Sequence, residues 1–180
     1  MLKLSFLLML SFPFHALGQE STTQELIRDA ILPLPEALRE TATVASYDDA
    51  GNRTILRQGS SEIICQADDP TSGFFVHCFH HSYEPHLMHS RKWASEGKSR
   101  EEILQLRLAA MEDGELPLDH AGRAGYILQG DDPVGATSLM VIALPDATAE
   151  STGLSTTPSN FRPWLMRAGT PWAHVMMPGQ

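Results

Sequence analysis

The sequence predicts a single α+β domain, a mainly antiparallel sheet of about six to eight strands with two to three helices grouped beside it. Short runs rich in β-branched and aromatic residues recur between clusters of turn residues. Two Ser/Thr-x-x-Glu spacings each stand directly before apolar residues at helical intervals. The helical and strand-like stretches fall in blocks along the chain, and there is no repeat of solenoid type. At 180 residues, 42% hydrophobic and 19% charged, the composition is that of a globular domain and not of a disordered tail.

The leading segment is distinct from this pattern. Lys3, the apolar run Leu4 to Phe12, Pro13 and the small residues of Ala16-Leu17-Gly18 have the layout of a secretory signal peptide cleaved after Gly18. The apolar run is about half of what a bilayer span needs, so no stable membrane insertion is expected after cleavage. Residues 19–180 then form one exported α+β domain. Export sets the expected state of the cysteines: in an oxidising compartment Cys65 and Cys78 are predicted to form a disulfide. The alternative is a redox or metal thiolate pair, for which the C-x-x-C spacing is missing.

In the exported domain, Thr22 and Glu25 have the spacing of a capping box before Leu26, Ile27, Ala30 and Ile31, which predicts a first helix. Pro33 ends it, and Pro35 at a first helical position starts another turn over Glu36-Ala37-Leu38-Arg39. Thr41 to Tyr47 reads as a strand, Asp49-Ala50-Gly51-Asn52 as a turn and Arg53 to Gln58 as a returning strand. Ser61 to Ala67 and Gly73 to His80 make a hairpin around Asp68-Asp69-Pro70-Thr71-Ser72. In the register expected there, Cys65 faces Cys78, Ile64 faces Phe79 and Ile63 faces His80, close enough for a disulfide. Residues 41–80 are thus expected to be a four-stranded antiparallel meander.

Helical chemistry follows. Glu84-Pro85 opens a helix that runs through Leu87, Met88, Arg91 and Trp93 to about Glu96, and Gly97 stops it. Ser99 and Glu102 make the second capping box, ahead of Ile103, Leu106 and Ala110, and Asp113-Gly114 ends that helix. Tyr126 to Gln129 and Ser138 to Leu144 are strands about the Gly130-Asp131-Asp132-Pro133 turn, the second apolar enough to be central. Residues 145–160 are a long loop, ordered or flexible. Arg162 to Met166 and Trp172 to Met176 are two short strands around Ala168-Gly169-Thr170-Pro171.

Thirteen basic residues against 22 acidic ones give a net charge of −9, and no Lys/Arg run breaks it, so nucleic acid is not an expected partner. Chemistry-bearing side chains concentrate in residues 77–91. His77, His80, His81, His86 and His89 fall there, with Glu84 and Met88 among them. His86 and His89 share a helix face. With His80, His81 or His174 they would make a zinc or copper site with an open position. Met88 beside His89, and Met176 and Met177 beside His174, would suit reduced copper. The opposing reading is a set of solvated histidines at a hairpin-to-helix junction, with Glu62 as cross-strand partner of His81. Neither H-E-x-x-H nor H-x-x-E-H occurs, and no G-x-S-x-G elbow marks a hydrolase serine. The paired aspartates Asp48-Asp49, Asp68-Asp69 and Asp131-Asp132 read as turn residues. Trp164 and Trp172 stand near each other across the tail turn with Arg162 and Arg167 close by, a composition that binding surfaces favour, and with Glu84 and Arg91 the two tryptophans are the candidate ligand-binding residues.

Two segments, CFHHSYEPHLMHSR and GTPWAHVMMPG, resemble those of small exported bacterial proteins that carry no assigned activity. The resemblance implies periplasmic or secreted residence and no mechanism. The expected function is therefore that of an exported binding or interaction module for a protein or a small-molecule ligand, with no cofactor. The rivals are a periplasmic copper- or zinc-binding protein and a hydrolase whose site is assembled from distant residues.

Overall fold

A computed structural model of the protein describes residues 22–69, 73–117 and 119–179. The expected signal peptide and the middle of the cysteine hairpin turn lie outside these residues. Among the described residues, one mostly antiparallel eight-stranded sheet with five α-helices makes the fold α+β. The strands are β1 (Thr43–Tyr47), β2 (Arg53–Arg57), β3 (Ile63–Gln66), β4 (Phe74–His80), β5 (Ala124–Gly130), β6 (Thr137–Ala143), β7 (Trp164–Met166) and β8 (His174–Pro178), in the order β2-β1-β3-β4-β5-β6-β8-β7. The helices are α1 (Thr23–Ala30), α2 (Glu36–Arg39), α3 (Glu84–Ser95), α4 (Arg100–Glu112) and α5 (Ala149–Thr152). No helix among the described residues is long and apolar enough to cross a membrane.

The expected meander over residues 41–80 needs correction. β1 and β2 form the hairpin, but β3 does not pair with β2; it runs parallel to β1 on β1's other edge. The reason lies in the side chains. Val44 and Ala45 on β1 face opposite sides and both are fully buried, which suits a strand inside the sheet, whereas Arg53, Thr54 and Ile55 of β2 are exposed and suit a sheet margin. Gly59 permits the crossing. A Cβ there would fall 2.3 Å from the Thr41 carbonyl oxygen, and the chain passing over it is tied down by Ser60 and Ser61 N–H groups donating to that same oxygen.

The cysteine hairpin has the expected register: Cys65 opposite Cys78, Ile64 opposite Phe79 and Ile63 opposite His80, with the disulfide formed. Cys65, Cys78 and Val44 face α1, whose Ile27 and Ala30, with Leu34, complete a core on that side. Both capping boxes are made, Thr22 with Glu25 on α1 and Ser99 with Glu102 on α4. Pro35 is the residue before α2 and not its first helical one. Residues 145–160 are ordered around α5, with a Thr148–Ser151 capping box and a bridge from Ser155 to Trp164. β6 lies inside the sheet between β5 and β8.

On the second face, Tyr83 and Leu87 pack on Ala45, Ile64 and Phe79. α4 does not lie on the sheet in the same way. Its Ala110 and Met111 rest with Leu116 against Trp93 of α3 and Trp172 of the β7–β8 turn. Trp93 and Trp172 both hold the C-terminal half of the helix, and space remains between its N-terminal half and the strands.

Candidate functional site

That space is a cavity of about 340 Å³. Alternate residues of four strands form its floor: His77 and Phe79 of β4, Gly125 and Ile127 of β5, Val141 and Ala143 of β6, His174 and Met176 of β8. Arg100, Ile103, Leu104 and Arg107, at i, i+3, i+4 and i+7, form the roof from α4. Trp172 and His120 close one end. Gly125 matters to the floor, because a Cβ there would stand 3.2 Å from His77 Nε2.

Four imidazoles in or beneath this cavity are held neutral. His77 is buried among the rings of Phe75, Phe79 and Tyr83, and burial drives its pKa down to about 4. His86 is wholly buried and stacked on Tyr83, with Nε2 donating to the Pro117 carbonyl at 3.1 Å. Burial first, then competition with His120 for a proton and the charge of Arg107, take His86 to about 4. His120, whose ring centre is 4.4 Å from that of His86, is also pushed down by burial. His174 Nδ1 lies 2.7 Å from the Trp172 carbonyl oxygen, so Nδ1 carries the proton and Nε2 keeps a free lone pair. Burial lowers its pKa as well.

Arg107 is the one cation inside the cavity wall. Its guanidinium lies 4.1 Å over the Trp172 ring and donates to Ser90 Oγ, while Nε is buried and has no hydrogen-bond partner. Burial works against its charge, and Tyr83 is the only group that acts to support it. Three exposed arginines, Arg100, Arg123 and Arg167, line the rim. No Asp or Glu lines the cavity among the described residues; Asp119 acts on His86 and His120 from outside it.

The residues singled out by sequence are dispersed. Glu84 accepts from Tyr47 Oη at 2.7 Å and pairs with Arg53 at 2.8 Å, and Arg91 lies over the Tyr47 ring at 5.0 Å, so both brace α3 against the β1–β2 hairpin and stand away from the cavity. Trp164 is buried on β7. Only Trp172 of the four candidate ligand-binding residues reaches the cavity wall. The five candidate metal histidines do not converge either. His86 is stacked under Tyr83, His89 lies against Trp93, and His174 faces the cavity. His174 and Met176 do share a face there, but the Met88 methyl packs near Gly51, so the two His/Met pairs are apart. His80, which also lines the cavity, and His81 gather with Glu62, and this is the only group of three or more potential ligands within 4.8 Å among the described residues. Glu62 lies 3.4 Å from His80 Nε2 and 3.8 Å from His81 Nε2.

Sequence reasoning passed over Arg107, His120, Tyr83 and two of the rim arginines, Arg100 and Arg123, whereas Arg167, set beside Trp172 in the tail, does reach the rim. One signal was present: Arg107 interrupts the apolar run Leu104 to Met111 on the face that Ile103 shares. For hydrolysis, Ser82 Oγ lies 2.8 Å from His80 Nδ1, but Ser82 is buried and its own N–H donates to the same Nδ1, so the contact closes a local turn. The aspartate pairs act as turn residues, Asp48 accepting from Asn52, Asp68 from the Phe75 N–H and Asp132 from the Val134 N–H. Comparison with family models, with curated proteins and with solved structures finds no match for this chain.

Proposed function

We propose that this protein is an exported binding module whose ligand is a small organic molecule held in the cavity between α4 and the sheet. The observation that carries the reading is the cavity's construction. About 340 Å³ lies within the range of small-molecule sites, its walls are largely apolar, and a few polar groups with neutral imidazoles converge on it. The signal-peptide layout and the Cys65–Cys78 disulfide support residence outside the cytosol. The test is a small-molecule screen read by methyl resonances of Ile103, Ile127 and Val141, repeated on a cavity-filled Ala143→Phe variant. Expected are hits that move these methyls in the native chain and are lost in the variant. Hits that persist unchanged in Ala143→Phe, or a screen that never moves these methyls, overturn the reading.

One observation favours a second reading, metal binding at Glu62, His80 and His81, where a carboxylate and two imidazoles suit zinc or copper(II). Elemental analysis and titration of the untagged chain test it. Stoichiometric uptake lost in His80→Ala and Glu62→Gln, and kept in a His86→Ala, His89→Ala double variant, supports this site. No uptake tighter than about micromolar removes it.

A further inference from the structure

We propose that the cavity's ligand is a carboxylic acid with an apolar body, its carboxylate seated against Arg107 and its entry guided by Arg100, Arg123 and Arg167. The proposal rests on the reading of the cavity as a small-molecule site and names the chemistry of the occupant. A guanidinium withdrawn from water is costly unless it is paired, and native proteins give such groups a carboxylate or a full set of hydrogen-bond acceptors. Arg107 has neither. Its only hydrogen-bond partner among the described residues is Ser90 Oγ, and Nε is buried with none. The titratable groups facing it are Tyr83, His86, His120 and His174, and none of them supplies a negative charge at neutral pH. An apolar-walled cavity that keeps a partly buried cation without an anion is complete only with the anion present.

The charge distribution points the same way. Four of the chain's ten arginines line this cavity, and none of its 22 acidic residues does so among those described, although the net charge is −9. An acidic protein repels anions in general, so a local cluster of arginines is a directed feature. The walls set the rest of the ligand. Phe79, Ile103, Leu104 and Val141 offer apolar surface, and one buried cation matches one negative charge better than two. The guanidinium's planar fork fits a carboxylate's two oxygens. A singly charged acid on an aromatic or branched aliphatic body fits these walls.

The test uses matched acid and amide pairs: phenylacetic acid with phenylacetamide, indole-3-acetic acid with indole-3-acetamide, and 4-methylpentanoic acid with its amide. Phenyl phosphate is added as the doubly charged comparison. Binding to the disulfide-intact chain is measured by calorimetry, and the Arg107 Nε–H resonance is followed in ¹⁵N-arginine-labelled protein. Expected are acids that bind at least about tenfold tighter than their amides, equivalent to about 1.4 kcal/mol, weaken with salt and shift that resonance. In Arg107→Met the preference is expected to vanish. Arg107→Lys, which keeps the charge and loses the fork, is expected to retain part of it, and it serves if Arg107→Met does not fold. Acids and amides binding alike would overturn this inference and leave the cavity reading standing. No binding by any member of the three pairs, with the cavity methyls unmoved, would overturn both. A preference that survives Arg107→Met, or phenyl phosphate binding tighter than phenylacetate, would overturn the assignment of a carboxylate to Arg107.

Discussion

At the scale of single residues, the neutral histidines make the fold sensitive to acid. An unfolded imidazole titrates at about 6.5, whereas His77 and His86 titrate at about 4 in the folded chain. Between those values the unfolded chain takes up the protons that the folded one refuses. Stability is therefore complete above about pH 6.5 and falls as the pH drops toward 4, by up to about 3 kcal/mol for each group. The His77 imidazole makes no hydrogen bond among the described residues, and its neighbours are aromatic rings, so His77→Phe removes the titration while keeping a ring in place. Melting temperatures from pH 7 to pH 4.5 are expected to fall less in His77→Phe than in the native chain. Equal slopes would show that His77 does not carry this effect. The sequence displayed the cluster of histidines at 77–89 but not that His77 and His86 alone are buried, because that depends on Tyr83, His120 and Trp172, the last two arriving from far along the chain.

Helix caps and crossings belong to the scale of elements. Ser99 accepts from the Glu102 N–H, and Glu102 accepts from the Ser99 N–H, satisfying donors that the first turn of α4 would otherwise leave open. Ser99→Ala is expected to cost about 1 kcal/mol in chemical denaturation. Because α4 roofs the cavity, ligand affinity should weaken in the same variant if the helix start frays. The crossing from β2 to β3 is more demanding. Gly59→Ala would force a methyl into the Thr41 and Ala42 backbone, where no flexible side chain can yield. A loss of more than about 3 kcal/mol, or no folded protein at all, is expected on expression of that variant. Helix and hairpin positions were legible from capping boxes and turn clusters, since those signals are local. The neighbour order was not: Thr41 to Gln58 reads as a hairpin whichever edge the following strand takes, and the parallel β1–β3 pairing follows from which strand must be buried on both sides.

For the whole molecule, the Cys65–Cys78 disulfide ties two central strands of the sheet across 13 positions of chain. On the chain-entropy account such a closure contributes about 3 kcal/mol. Reduction, or a Cys65→Ser, Cys78→Ser double variant, is expected to lower the unfolding free energy by about that amount, measured by urea denaturation with and without reductant. The two faces of the sheet should respond differently. The bond lies on the α1 side, with Ile27 and Ala30, and the cavity opens on the other. Ligand binding is therefore expected to persist in the reduced chain wherever it remains folded.

The sequence by itself determined the α+β class, the capped starts of α1 and α4, the cysteine pairing and the turn role of its aspartates, because most of these depend on neighbours within about a dozen residues. Tertiary structure alone decided the site. Arg107 reads as a charge on an amphipathic helix until the sheet places no carboxylate beside it. His120 and His174, which lie outside the histidine cluster, reach the same cavity from the loop after α4 and from β8, while His81 turns with His80 toward Glu62. Spacing along a chain sets which face of an element a side chain shares. What that face meets depends on contacts between residues far apart in sequence, and the unpaired cation exists only at that level.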